Sequence, residues 1–268
     1  MSPVPNNCWP ISPSAESVIL EEYAKLIGID PQIEWQMESS EQLALLVLAQ
    51  HLKPVCSVEV GSRYGGSMQI LSRYSQRVIS CDIDPTCQAR LGHQYSNVEF
   101  ITGDSKTTLP GLWQRLQADA VPVGLLLIDG DHTAAGVQAD IHSLLNYVPV
   151  CTLYVILHDS FNPAVRRGIR SARWAENPHV HSVEVDFIPG VLHRGGEADR
   201  EMWGGFSLAI LHPRKRTGHL EVSARKDELF QAVLRRSAHW PFDPPTLLKR
   251  ARRKFSRLLG IDKKTSHP

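Results

Sequence analysis

Val58-Glu59-Val60-Gly61-Ser62-Arg63-Tyr64-Gly65-Gly66-Ser67 is the stretch from which the fold of this chain is read. A β-branched run, Val55 to Val60, carries a carboxylate near its end and passes straight into a glycine-rich turn. Met68-Gln69-Ile70-Leu71 follows and reads as the start of a helix. Strand, tight turn and helix N-terminus together make a cofactor cradle. Gly61 and Gly65 let the backbone approach a ligand closely, and free N–H groups at the helix start can hold a carboxylate. A second acid, Asp82, closes the next strand-like run, Arg77 to Cys81. A carboxylate there can accept hydrogen bonds from both ribose hydroxyls of a nucleoside.

The spacing of the glycines separates two cofactor classes. A dinucleotide fingerprint requires Gly-x-Gly-x-x-Gly. Here the pattern is Glu59-x-Gly61-x-x-x-Gly65, which resembles the first motif of class I S-adenosylmethionine (SAM)-dependent methyltransferases. Glycines of a strand-to-helix turn also serve packing alone, so the rest of the chain has to carry weight.

From Val55 onward strand-like and helix-like patterns alternate. The strands are expected at Val55–Val60, Arg77–Cys81, Val98–Ile101, Val123–Ile128 and Thr152–Leu157. Between them the helices are expected at Gly66–Tyr74, Pro85–His93, Ser105–Ala118 and Ala134–Tyr147. Such alternation implies a parallel sheet with right-handed crossovers. Leu125-Leu126-Leu127-Ile128 and Leu153-Tyr154-Val155-Ile156-Leu157 are continuous apolar runs, as for strands covered on both faces. His181–Phe187 and Gly205–Leu211 complete a Rossmann-like, seven-stranded, mostly parallel α/β sheet with helices on both faces. The insert between them, Ile188 to Trp203, is too polar for core and sits where a lid would. Helical patterns at Ala15–Ile27 and Ser40–Leu52 precede the sheet, and Lys226–Ser237 and Pro245–Leu259 follow it. The expected division is an N-terminal arm and helix over 1–39, the cofactor-binding domain over 40–212 and a C-terminal helical extension over 213–268.

At 268 residues the chain can bury a full core. Its 29 Lys and Arg against 28 Asp and Glu leave a net charge of +1, so no global field favours nucleic acid. The five cysteines are scattered and odd in number, with no Cys-x-x-Cys pair. That composition, with no secretory signal pattern and no bilayer-spanning apolar run, predicts a cytoplasmic protein.

Two acidic clusters end the fourth and fifth strands: Ile128-Asp129-Gly130-Asp131-His132 and Leu157-His158-Asp159-Ser160. Ligands of open α/β sheets bind beyond the carboxyl ends of the strands, so both clusters face the cradle. Carboxylates gathered in one cleft repel unless a cation or a proton is shared, and Mg²⁺ is the default hard ion. Asp129 and Asp159 can also cap the helices that follow.

The runs LLLIDGDHTAAGVQADI and VILHDSFNPAVRRGI, over 125–141 and 155–169, resemble a methyltransferase subgroup near the cephalosporin hydroxylase-like, rhamnosyl and, more distantly, macrocin O-methyltransferases. That resemblance, spanning roughly Leu43 to Leu211, implies a Mg²⁺ held by acids after strands four and five. Asp131 and Asp159 match the ligand positions best, with His158 beside them where related enzymes carry an acid or amide. Asp129 is a second candidate for the metal, since related catechol-type enzymes use the first acid of this stretch, and it is also a candidate at the catalytic centre and against the cofactor. By the same carry-over Glu59, Gly61, Ser62 and Gly65 hold the methionine part of SAM, and Asp82 takes the ribose. Asp104 and Ser105 stand near adenine, although Asp104 reads equally well as the N-cap of the helix that follows.

Methyl transfer from a sulfonium depends chiefly on positioning, and a hydroxyl acceptor must also lose its proton. His132, next to the acids, and His158 are the candidates for that base, and His132 can alternatively brace a metal-bound carboxylate. The expected activity is SAM-dependent O-methyl transfer, Mg²⁺-assisted, to a sugar, glycan or natural-product hydroxyl. The alternatives are a nicotinamide oxidoreductase, which should show the fingerprint missing here, and a catalytically silent SAM-binding protein. The basic amphipathic pattern over 247–259 suits either a membrane-surface contact or packing on the domain or a second subunit. Acceptor specificity is expected in the arm before Leu43 and in the insert around Leu192 to Trp203.

Overall fold

The protein was described from a computed structural model, which defines residues 21–242. The opening arm and the Pro245–Leu259 helix pattern lie outside these described residues. Helix α1 is described over 21–27, and α2 covers Ser39–Leu52. The core alternation then runs β1 (Cys56–Val60), α3 (Met68–Tyr74), β2 (Arg77–Asp82), α4 (Cys87–Leu91) and β3 (Val98–Thr102). It continues through α5 (Ser105–Ala118), β4 (Val123–Ile128), α6 (Ala134–Ser143), β5 (Leu153–Leu157) and α7 (Pro163–Ser171). After these come β6 (Val180–Ile188), β7 (Val191–Leu192), β8 (Met202–Trp203), β9 (Phe206–Leu211), β10 (Val222–Ser223) and α8 (Asp227–Leu234).

The large sheet has eight strands in the order β10-β6-β9-β5-β4-β1-β2-β3, and β7 and β8 form a separate hairpin. The expected count of seven is corrected by β10, a two-residue edge strand parallel to β6. Two residues produce no alternation pattern in sequence, which is why the strand was not legible. β9 pairs antiparallel with both β5 and β6; the pairs that join β1 to β5 are parallel.

Alternate side chains of the central strands feed two layers. Leu125, Leu127 and Ile156 pack with Leu45 and Ala49 of α2 and with Ile70 and Leu71 of α3. Leu126, Ile128, Val155 and Leu157 face Leu112 and Leu116 of α5, Ile141 of α6 and Ile169 of α7. This is the period-two alternation of a strand covered on both sides. The insert is less polar in place than in sequence. Met202 is fully buried, in a small cluster with Phe161 and Phe230, because β8 folds its side chain under α8 rather than into solvent. Among the described residues no helix is long and apolar enough to cross a membrane.

The chain reverses direction across the sheet between β1 and β4, and this switch point positions the site. Backbone hydrogen bonds continue beyond the strand ends: Gly103 N–H to Asp82 O, Gly61 N–H to Cys81 O, Asp129 N–H to Val60 O and His158 N–H to Ile128 O, at 2.8–3.0 Å. They hold the five strand tips, β3, β2, β1, β4 and β5, in one row.

Candidate functional site

The turn after β1 is built around a buried acid. Glu59 is fully buried, and its two carboxylate oxygens accept the hydroxyls of Ser67 and, at 2.9 Å, Ser62. Burial pushes its carboxyl up to about 7 against the pull of those two hydroxyls, with Asp129 and Asp82 adding to the rise. The turn itself needs its glycines. Gly61 has φ +87°, and a Cβ there would lie 2.1 Å from the backbone oxygen of Asp129. The Asp82 carboxylate reaches across from β2 and accepts the backbone N–H groups of Ser62 at 2.8 Å and Arg63 at 2.9 Å. Its other oxygen takes Asp84 N–H at 2.8 Å.

Beside this turn, Asp129 and Asp159 stand between two imidazoles. His158 Nδ1 lies 2.9 Å from Asp129 Oδ1 and 3.6 Å from Asp159 Oδ2. His132 Nε2 lies 3.0 Å from Asp159 Oδ2 and 3.5 Å from Asp129 Oδ1. Burial alone would raise the Asp129 carboxyl, but His158 and His132 outweigh it and hold it down at about 2. Hydrogen bonds to Asp129 and Asp159 lift His132 to about 10 despite partial burial. His158 is also raised, its carboxylate neighbours Asp129, Glu41 and Asp159 outweighing the cost of burial. Asp159 adopts φ +56°, a left-handed conformation rare for a residue with a side chain. It is held there by Gly204 N–H, which donates to Oδ1 at 2.6 Å, and by Asn162 N–H on its carbonyl.

Turn and cluster open into one cavity of about 890 Å³. Its floor is the row of strand tips. Glu34 to Glu38, ahead of α2, cover one side, and His193, Ala198 and Trp203 of the insert cover another. Trp203 meets the His132 ring edge-on, with centroids 5.5 Å apart.

The expected site residues fall into two groups. Gly61, Ser62, Asp82, Asp104, Ser105, Asp129, Asp131, His132, His158 and Asp159 all line the cavity. Glu59 and Gly65 stand behind it: Glu59 braces the serines of the turn, and Gly65 fits against Leu91. Asp104 is at once a cavity residue and the N-cap of α5, accepting Lys106 N–H at 2.9 Å. Ser105 points its hydroxyl at buried Asp140, at 2.6 Å.

The two acids flanking Gly130 part company. Asp131 accepts Thr133 N–H at 2.8 Å and lies 3.4 Å from Lys106 Nζ. Asp129 instead joins His158 and Asp159, and one ligand atom from each of these three lies within 4.8 Å of the others. Sequence reading singled out neither Glu41 nor Lys106, and reached Trp35 and Trp203 only as members of segments expected to set acceptor specificity. Glu41 sits in an ordinary helix start, and its contact with His158 spans 117 positions.

A family model described as a methyltransferase domain (Methyltransf_24) matches residues 58–160, which include the turn and the Asp129–Asp159 cluster. No curated protein matches the sequence. Among solved structures, the O-methyltransferase TomG from Streptomyces achromogenes, in complex with SAM, is similar at 16% identity and TM-score 0.50. The match covers 73% of this chain and 88% of that one. The O-methyltransferase from Bacillus cereus, in complex with SAH, is similar at 18% identity and TM-score 0.49, over 72% of this chain and 90% of that one. At 16% identity the likeness to TomG is one of fold.

Proposed function

Because residues 58–160 carry a methyltransferase domain on a class I Rossmann-like sheet, we propose that the protein transfers a methyl group from SAM to a hydroxyl oxygen of a small acceptor such as a sugar, glycan or natural product. The observation that carries this reading is the single cavity in which a glycine cradle and an acid–imidazole cluster sit side by side. Without a Cβ, Gly61 lets the tips of β1 and β4 close together beneath the cavity that would take the donor, and Asp82, at the tip of β2, is the residue that would take its ribose. When bound, SAM supplies a methyl group activated by its sulfonium charge.

His132, set against Asp159 and Asp129 at the cavity wall, would be the residue that takes up the acceptor's proton; those carboxylates favour the protonated ring, so it would act as a base only with positive charge beside them. A divalent cation fits this requirement, and Asp129, His158 and Asp159 are the residues that would hold it. It would supply charge that lowers the acceptor hydroxyl's pKa. A nitrogen among the donors suits Mn²⁺ or another first-row ion better than Mg²⁺. Trp203 and His193, from the insert, and Trp35, ahead of α2, give the acceptor side an aromatic wall. The size of the cavity suits a cofactor with a small molecule.

Calorimetric titration with S-adenosylhomocysteine and with NAD tests the donor assignment, and binding of NAD alone would reject it. Radiolabelled methyl transfer to a panel of hydroxylated sugars and natural products tests the rest. Activity lost with EDTA and restored better by Mn²⁺ than by Mg²⁺ is the expected result, and full activity in EDTA would remove the metal.

A further inference from the structure

Glu41 lies outside the glycine-rich and acid-rich segments, third in the first turn of α2, which precedes the sheet, yet it is fully buried. Its carboxylate is surrounded by donors. Oε2 accepts Glu38 N–H at 2.7 Å and lies 3.2 Å from His158 Nε2. Oε1 accepts the N–H of Gly205, where the insert rejoins β9. A Cβ on Gly204 would lie 2.5 Å from the same oxygen, so the Gly204-Gly205 pair leaves the carboxylate its space.

Both Glu41 oxygens already act as acceptors of backbone N–H groups, so the ring nitrogen facing Oε2 carries the hydrogen. With the hydrogen on Nε2, the remaining nitrogen, Nδ1, faces Asp129 Oδ1 and Asp159 Oδ2. A bare lone pair opposite two carboxylates is repulsive, so that face of the ring requires a cation or a second proton. Phe206 packs edge-on against the ring at 5.6 Å and limits its rotation. A carboxylate behind a ligating imidazole is the usual way in which the tautomer and ring plane of such a ligand are set.

We propose that Glu41 is the positioning residue of this site: it fixes the Nε2–H form and the ring plane of His158, so that Nδ1 faces the Asp129–Asp159 pair as a donor to a divalent cation. The metal half of this statement rests on the reading under Proposed function; the tautomer half does not. Through its contact with Gly205, the same carboxylate ties His158 to the end of the insert that walls the acceptor side.

The test uses the full chain and the Glu41→Gln variant, with S-adenosylhomocysteine affinity as the control for an intact fold. Calorimetric titration with Mn²⁺ should show affinity falling about 10- to 100-fold in the variant. In the His158→Gln background the same change should have no further effect. Two-bond ¹H–¹⁵N correlation spectra of the metal-free proteins, taken at a pH high enough to leave the ring neutral, should place the hydrogen on His158 Nε2 in the wild type and lose that preference in Glu41→Gln. Mn²⁺ affinity kept within twofold, with an unchanged imidazole pattern, overturns the proposal. If the wild type binds no Mn²⁺, the metal reading falls, and the imidazole spectra alone uphold or overturn the role of Glu41. If Glu41→Gln fails to fold, the wild-type spectrum of the neutral ring decides: a bare Nε2 with the hydrogen on Nδ1 refutes the assignment, and a protonated Nε2 with a bare Nδ1 sustains it.

Discussion

Gly61 and Asp129 approach so closely that a Cβ on the glycine would stand 2.1 Å from the aspartate's carbonyl oxygen. The contact joins the tip of β1 to the tip of β4 at the switch point of the sheet, and the φ of +87° would strain any side chain as well. Gly61→Ala should therefore destabilise the protein by roughly 2–4 kcal/mol. S-adenosylhomocysteine affinity should fall in parallel. Chemical denaturation with calorimetry measures both, and unchanged values would mean that the two strand tips do not meet this way.

Asp82 holds the turn from the neighbouring strand by accepting the N–H groups of Ser62 and Arg63. Hydrogen bonds to a charged acceptor contribute about 1.5–3 kcal/mol each. Asp82→Ala removes both, and should weaken S-adenosylhomocysteine binding about 10- to 100-fold with a smaller loss of global stability. Asp82→Asn, which keeps one acceptor oxygen, should fall between. Equal affinities across the three proteins would take Asp82 out of the cradle.

Glu59 makes stability depend on pH. Its carboxyl is raised from 4.5 unfolded to about 7 folded, mainly by burial. The folded state thus binds the proton more tightly, and the stability linked to it is complete below about pH 4.5. It is lost as pH rises from there through about 7, by an amount on the order of 3 kcal/mol. Glu59→Gln should flatten this part of the profile and gain relative to wild type at pH 8. Thermal unfolding across pH 4–9 tests the point; parallel profiles would show that Glu59 ionises freely in the fold.

Arg166 of α7 is 3% exposed and pairs with Asp186 of β6, which is 4% exposed. It also reaches Asp227 at 2.8 Å, and its guanidinium carbon lies 4.2 Å from the ring centre of Phe230. Arg166→Ala would leave Asp186 buried without its cation, and should cost about 3–5 kcal/mol. The double variant Arg166→Met with Asp186→Asn should recover much of that loss. Equilibrium denaturation of the three proteins decides it, and a loss under 1 kcal/mol for Arg166→Ala would refute the pairing.

The parts of the fold that depend on near neighbours were legible in the chain. β4 and α5 run over the residues expected for them, because continuous apolar runs and the Asp104 cap are signals confined to a few positions. β10 was invisible for the opposite reason: it owes its strand conformation to the edge of β6 alone. Met202 likewise reads as part of a polar insert and is buried only because α8 closes over it with Phe230.

Asp129 and Asp131 mark the boundary between the two kinds of information. Sequence supplied both acids and the strand tip that bears them. It could not say which one turns towards His158, since that follows from Thr133 and Lys106 engaging Asp131 at the start of α6. Glu41 lies wholly on the far side of that boundary. Local sequence determined a strand–turn–helix unit with a glycine cradle, the α/β alternation and a row of acids at the strand ends, because turn chemistry and side-chain periodicity act over a few residues. Tertiary structure decided the partners of each charge, because burial brings α2, the insert and β5 into a dry interior where an imidazole and a carboxylate distant in sequence must satisfy one another.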